Sequence, residues 1–118
     1  YALRVAPRAS RDIEQAVAHF LETETDATVQ AWQQGLFHVF STLANNPQRY
    51  PILVDNPFQG DVRRLIYRRA SYSVAYILYY EVVEEKEESP RVILLHVRHG
   101  AARPLTRKEA REIEAQKQ

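Results

Sequence analysis

Residues 72–83 constrain the fold more than any other part of the chain, because this segment is apolar on both of its alternating faces. One face carries Val74, Tyr76, Leu78 and Tyr80, and the other carries Ala75, Ile77 and Tyr79. A strand with two apolar faces favours a central position in a sheet. Residues 62–69 and 91–98 are also rich in Val, Ile, Leu and Tyr and are predicted to be strands. Because the connections are short, the three segments are expected to form an antiparallel meander.

The first half of the chain predicts a short strand followed by two helices. Residues 1–6 alternate weakly, and Pro7 ends that strand and suits the first turn of a helix. A second helix is predicted over residues 26–44, with Thr25 or Asp26 as its N-cap and an Asn-Asn-Pro stop after it. The short polar connection between the helices makes them an antiparallel hairpin.

Thr106 is predicted to open a short, charged C-terminal helix, so that residues 106–118 form a helix or tail. The sequence leaves open whether this segment packs over the sheet or is ordered by a partner. At 118 residues the chain is expected to be a single domain. The element order β-α-α-β-β-β, with the C-terminal helix, predicts an α+β fold in which the helical hairpin packs on a small, mostly antiparallel twisted sheet.

Composition excludes several kinds of site. The chain has no cysteine, which rules out disulfides, thiolate metal sites and cysteine nucleophiles. The histidines show no metal-ligand spacing, so neither a metal nor a small-molecule cofactor is predicted. No apolar run approaches the ~18 residues of a membrane helix, and we expect no membrane association and a cytoplasmic location.

A net charge of +1 hides an uneven distribution of arginine. One basic cluster lies in residues 63–69 and a second in residues 98–111. Guanidinium groups suit phosphates and carboxylates, so the clusters indicate either nucleic acid or an acidic protein as a partner. The alternative is that they are solvated strand ends.

A partner-binding surface is predicted on the sheet face that the hairpin leaves open. Strict alternation along residues 91–98 places aliphatic, imidazole and guanidinium groups together on that face. An acidic amphipathic segment would bury the aliphatic groups and neutralise the arginines. The predicted surface comprises Arg63, Arg64, Arg68, Arg69, Val92, Leu94, His96, Arg98 and Arg103. For His96, a purely structural role within the strand is the competing interpretation.

Several local strings, in this order and spacing, resemble the RelE/ParE superfamily of toxins from type II toxin–antitoxin systems. The resemblance covers residues 1–105 and is closest to the ParE-like branch, often labelled plasmid stabilisation proteins. The strings are Asn-Pro-Gln-Arg-Tyr-Pro at residues 46–51, Val-Arg-Arg-Leu at 62–65, Arg-Arg at 68–69, Tyr-Ser-Val-Ala-Tyr at 72–76, and His-Gly at 99–100.

The resemblance implies a small toxin that is held inactive by a cognate antitoxin protein. For ParE-like members it implies inhibition of DNA gyrase by binding. For RelE-like members it implies ribosome-dependent cleavage of mRNA, in which the 2′-hydroxyl attacks the neighbouring phosphate. A third hypothesis is a non-toxic relative, or an adaptor that uses the same sheet for another protein.

The nuclease alternative would need a proton acceptor, a proton donor and cations beside the phosphate. His99 could serve in proton transfer, with Arg98, Arg64 and Arg68 as the cations, whereas a guanidinium cannot act as the base. The sequence departs from the RNA-cleaving relatives, which typically place alternating lysines on the first meander strand and often end in a catalytic aromatic residue. Whether the protein is an enzyme is therefore left open, and binding is favoured over chemistry.

Overall fold

The computed structural model describes residues 1–68, 75–86 and 88–118, and its elements follow the predicted order. The strands are β1 (Ala2–Val5), β2 (Val62–Tyr67), β3 (Tyr76–Val83) and β4 (Arg91–His99), and the helices are α1 (Pro7–Phe20), α2 (Asp26–Ser41) and α3 (Arg107–Ala115). Short 3-10 turns span Thr42–Ala44 and Pro47–Arg49. The α+β architecture of a helical hairpin on a mostly antiparallel sheet is confirmed.

The four strands form one sheet in the order β1-β4-β3-β2. β2, β3 and β4 are antiparallel neighbours, whereas β1 pairs with β4 in parallel. The central position predicted for β3 is confirmed. The predicted ends of β2 and β3 at residues 69 and 72–74 lie outside the described residues.

The helices begin where the sequence places their caps. α1 starts at Pro7, and the Thr25 hydroxyl accepts a hydrogen bond from the Thr28 N–H at the start of α2 (3.2 Å). α2 ends at Ser41, three residues before the predicted end, and the chain continues as a tighter turn. α3 begins with a capping box, in which the Thr106 hydroxyl accepts from the Glu109 N–H and the Glu109 carboxylate accepts from the Thr106 N–H.

The hairpin of α1 and α2 covers one face of the sheet, which is called here the hairpin face. Its core combines apolar residues of both helices with alternate residues of β2, β3 and β4, including Ile13, Trp32, Leu36, Phe40, Leu65, Leu78, Tyr80, Val92 and Leu94. Two buried tyrosines keep their hydroxyl groups paired. Tyr67 donates to the Trp32 carbonyl (2.9 Å) and Tyr80 to the Pro47 carbonyl (2.7 Å), and burial raises the pKa of Tyr80 to about 12.

The opposite face, called here the second face, is partly covered by α3. Ala110 and Ile113 are fully buried there in a cluster with Ile93 and Leu95. The tail beyond the helix is fixed by Lys117, whose carbonyl accepts from Arg4 (2.7 Å) and whose ammonium donates to the carboxylate of Glu81 (3.1 Å). The C-terminal segment therefore packs over the sheet, and the expectation of a bare second face is wrong over the part that α3 covers.

A β-bulge in β4 reverses the alternation of side chains along that strand. Tyr79 pairs with His96 and Tyr80 pairs with Leu94, so Leu95 has no partner on β3. Before the bulge, the even-numbered residues Val92 and Leu94 point to the hairpin face; after it, the even-numbered residues point to the second face. The prediction that Val92, Leu94, His96 and Arg98 share one face is therefore wrong.

None of the helices in the described part of the chain is both long enough and apolar enough to span a membrane.

Candidate partner-binding groove

The part of the second face that α3 leaves uncovered forms an open groove of about 840 Å³. Its floor consists of side chains from the three meander strands, namely Arg64, Ile66, Ile77, Tyr79 and Arg98. Its two walls are residues 50–57, in the loop before β2, and residues 100–105, in the loop after β4. The groove is therefore built on a rigid sheet but edged by loops.

The groove exposes large aliphatic side chains. Ile66 on the floor is 59% exposed, and Ile52 and Val54 on the wall are 49% and 91% exposed. Asp55 adopts a left-handed backbone conformation (φ 54°), which Asp tolerates better than most residues, and this turn lies directly after Val54. Grouped exposed aliphatic side chains of this kind are typical of a protein-binding surface.

The wall formed by residues 50–57 is held in place at both of its ends. Ile52 makes an antiparallel bridge to Arg63 on β2. At the far end, the Glu114 carboxylate of α3 accepts hydrogen bonds from the N–H groups of Gln59 (3.0 Å) and Gly60 (3.1 Å), and Arg111 donates to the Pro57 carbonyl (2.9 Å). α3 thus positions the wall as well as covering the rest of the second face.

Among the described residues, three arginines line the groove and give it a positive charge. Arg64 and Arg98 lie near the Tyr79 hydroxyl: burial raises the pKa of Tyr79, and the positive charges of these two arginines act in the opposite direction. Arg103 on the second wall is well exposed and donates to Glu109 (2.5 Å). Hydrogen bonding from Arg103, with the cap hydrogen bond from Thr106, lowers the pKa of Glu109 to about 2, so this acid is ionised at neutral pH.

Comparison with known protein families identifies the family of the chain. The sequence model of the family described as "ParE toxin of type II toxin-antitoxin system, parDE" matches residues 3–104. The chain belongs to the ParE toxin family. Its function is therefore that of a toxin of a type II toxin–antitoxin system, and the family implies a cognate antitoxin as partner. No curated protein sequence matches the chain.

The match begins within β1, includes β2 to β4 and the first wall, and ends one residue before the end of the second wall, so that α3 lies outside it. The helix that covers part of the second face in this ParE-family chain thus lies outside the matched residues. The groove thus lies almost entirely within the family-matched residues, whereas α3, which limits how far the groove extends over the second face, does not.

The structure divides the predicted arginine surface. Arg64, Arg98 and Arg103 line the groove, and Arg68 is exposed just after β2. Arg63 instead points to the hairpin face, where it pairs with Asp61 (3.0 Å) and donates to the carbonyls of Gln48 and Tyr50. These bonds give Arg63 a structural role, and Arg69 lies outside the described residues.

The remaining predicted partner-binding residues are buried. Val92 and Leu94 are fully enclosed beneath the hairpin, so their predicted place on the open face is wrong. His96 is on the second face but only 5% exposed. Its Nδ1 bonds to the Asp12 carboxylate of α1 (2.6 Å) and its ring stacks on Tyr79 (6.0 Å between centroids), which supports the structural interpretation of this histidine.

The residues suggested for RNA cleavage are not brought together. His99 points to the hairpin face, where its ring packs edge-on against Tyr76 (5.4 Å between centroids). Arg98 and Arg64 point to the second face, so the sheet separates them from His99. Within the part of the chain that the structure describes, no three His, Asp or Glu side chains lie close enough to hold a metal ion.

Sequence reasoning missed the apolar half of the groove. Ile66, Ile77 and Tyr79 are at the alternate positions of β2 and β3 that face away from the hairpin. The aliphatic residues Ile52 and Val54 lie in a proline-rich loop, where polar side chains are usual. An apolar pair in such a loop, beside a strand that places Arg64 and Ile66 on the same face, is the pattern that could have indicated the site.

Proposed function

We propose that this ParE-family toxin acts by binding and inhibiting DNA gyrase, and that a cognate antitoxin neutralises it by placing an acidic, amphipathic segment in the groove. The observation that carries the proposal is the combination, in one open groove, of exposed aliphatic side chains with three arginines. The aliphatic groups supply buried area and the arginines supply charge complementarity.

The chemistry of the groove supports binding rather than catalysis. Among the described residues, its ionisable groups are three arginines, Tyr50, Tyr79 and Asp55, and guanidinium groups do not accept protons near neutral pH. The sheet lies between His99 and the groove arginines, which counts against the alternative of ribosome-dependent mRNA cleavage. Inhibition of a protein target requires only a complementary surface.

The target is tested by running two assays on one purified sample of the toxin. We expect inhibition of gyrase supercoiling and no fragmentation of mRNA in a translating extract. Intact supercoiling at excess toxin, combined with cut mRNA, would replace the gyrase proposal with the nuclease. Unimpaired growth during overexpression of folded protein would instead favour a non-toxic relative or an adaptor.

The antitoxin site is tested with Ile66→Asp. Because this side chain is 59% exposed, the change leaves the core intact but places a carboxylate where the partner would bury an aliphatic group. We expect the cognate antitoxin to bind at least tenfold more weakly, since losing the burial of one Ile side chain costs about 1.5–3 kcal/mol and the new carboxylate also repels an acidic segment. Leu21→Asp, at a similarly exposed site on the tip of the hairpin, is the matched control.

Charge complementarity is tested with Arg64→Glu. This change should weaken antitoxin binding and reduce its dependence on salt, because it reverses a charge in the groove. Arg107→Glu makes the same change at an exposed position outside the groove and should have little effect. Equal losses from both variants would show that only net charge matters and would contradict this site.

A further inference from the structure

The carboxylate of Glu109, at the start of α3, contacts two of the three groove arginines. Its Oε1 accepts from Arg103 (2.5 Å) and its Oε2 lies 3.6 Å from the guanidinium of Arg98. Both arginines line the groove, whereas Glu109 is not among the residues that line it. A carboxylate of the protein itself thus already contacts, from outside the groove, two of the arginines that a partner would meet.

Glu109 is held there by the cap of α3. The same Oε1 accepts the Thr106 N–H (3.1 Å), while the Thr106 hydroxyl accepts the Glu109 N–H (3.1 Å). Its position therefore depends on the fold of the helix and not only on its attraction to the arginines. Glutamine serves equally in a capping box, so the charge can be removed without removing the cap.

Arg98 is left incompletely paired. Its contact with Glu109 is longer than a hydrogen bond, and its buried Nε–H has no acceptor among the described residues. A buried donor without an acceptor is unfavourable, so Glu109 leaves part of the hydrogen-bonding capacity of Arg98 unused. A carboxylate entering the groove would have to share the Arg98 guanidinium with Glu109, whose negative charge would repel it.

We propose that Glu109 is an internal competitor that weakens the binding of acidic partner segments to the groove by sharing its arginines. This inference rests on the proposed antitoxin site, because it assigns to α3 the setting of that site's affinity. It also gives a role to a helix that lies outside the family-matched residues. Release of Arg98 and Arg103 from Glu109 becomes part of the free energy of partner binding.

The test compares Glu109→Gln with Glu112→Gln on the full chain. Both remove one negative charge from α3, but Glu112 is exposed and forms no ion pair within the described residues. The probe is a fluorescent synthetic helix with leucines on one face and glutamates on the other. By anisotropy, Glu109→Gln should bind it about three to ten times more tightly than the native protein, as release of two ion pairs implies, and Glu112→Gln should bind it unchanged.

A double-mutant cycle assigns the effect to the arginine. In an Arg98→Ala background, the gain from Glu109→Gln should fall at least by half, and amide exchange across α3 should stay as in the native protein. The proposal is overturned if both glutamate variants tighten binding equally, if neither does, or if no variant binds the probe. Absence of probe binding by every variant would contradict the proposed antitoxin site as well, whereas a bound probe whose affinity Glu109→Gln leaves unchanged would contradict only the role of Glu109.

Discussion

Asp12 on α1 connects the hairpin to β4 at the point where β1 has ended. Its Oδ2 accepts two hydrogen bonds, one from the Val97 N–H (3.0 Å) and one from the His96 ring (2.6 Å). Both partners are buried at 5% exposure. Asp12→Ala would leave the two donors without an acceptor, while the apolar contacts of α1 remain.

The expected cost follows from the two donors. An unsatisfied buried donor costs about 1–3 kcal/mol. The Val97 N–H has no alternative acceptor in its strand position, and moving the His96 proton to Nε2 gives no relief, because that nitrogen is also buried without a hydrogen-bond partner among the described residues. Asp12→Ala should therefore lower the free energy of unfolding by about 2–6 kcal/mol, a large part of the roughly 5–15 kcal/mol of a typical domain.

Urea denaturation followed by the fluorescence of the single, buried Trp32 measures this loss. Asp12→Asn retains one acceptor oxygen and should lose less than Asp12→Ala. Glu14→Ala is the control, since it truncates an exposed acid on the same helix and should change stability by no more than about 0.5 kcal/mol. If Asp12→Ala unfolded at the same urea concentration as Glu14→Ala, the assignment of His96 to a structural role would be refuted.

Three further predictions concern positions away from that contact. Gly35→Ala should destabilise the fold, although alanine normally favours a helix by about 1 kcal/mol, because the new methyl would collide with the Tyr67 hydroxyl. Adding Tyr67→Phe should recover only part of the loss in thermal melts, because it also removes the hydrogen bond to the Trp32 carbonyl. The raised pKa of Tyr80 means that the folded state holds the phenol proton more tightly than the unfolded chain does. The stability that depends on neutral Tyr80 is therefore complete below pH ~10 and is lost as pH rises through about 12. Alkaline titration by tyrosinate absorbance and circular dichroism should show that Tyr80 ionises as the protein unfolds, and ionisation of all tyrosines near pH 10 would contradict this prediction. The lowered pKa of Glu109 gives stability the opposite pH dependence. The contribution of ionised Glu109 to the docking of α3 is present above pH ~4.3 and is lost as pH falls through about 2. Carboxyl-carbon NMR should place the titration midpoint of Glu109 near 2, and a midpoint near 4 would show that the contact with Arg103 does not persist in solution.

The helices and strands and their order can be predicted from the sequence, because they depend on residues close together in the chain. Proline at the first turn fixed the start of α1, and hydroxyl caps at Thr25 and Thr106 marked two more helix starts. The two apolar faces of residues 72–83 were enough to place β3 inside the sheet. The resemblance to RelE/ParE toxins rested on such local strings too, and the family match confirms the ParE-like assignment.

Which side chains share a surface depends on contacts between elements that are distant in the chain. Leu95 has no partner on β3, and this reverses which face the alternate residues of β4 point to. Nothing in the local sequence distinguishes Leu95, since the packing of the sheet between the hairpin and α3 selects the register. The reversal buries Val92 and Leu94 beneath the hairpin and leaves Arg98 on the same face as Arg64. Likewise, the contact between Glu109 and Arg98 exists only because α3 docks on the second face, and that docking depends on apolar residues brought together from distant parts of the chain.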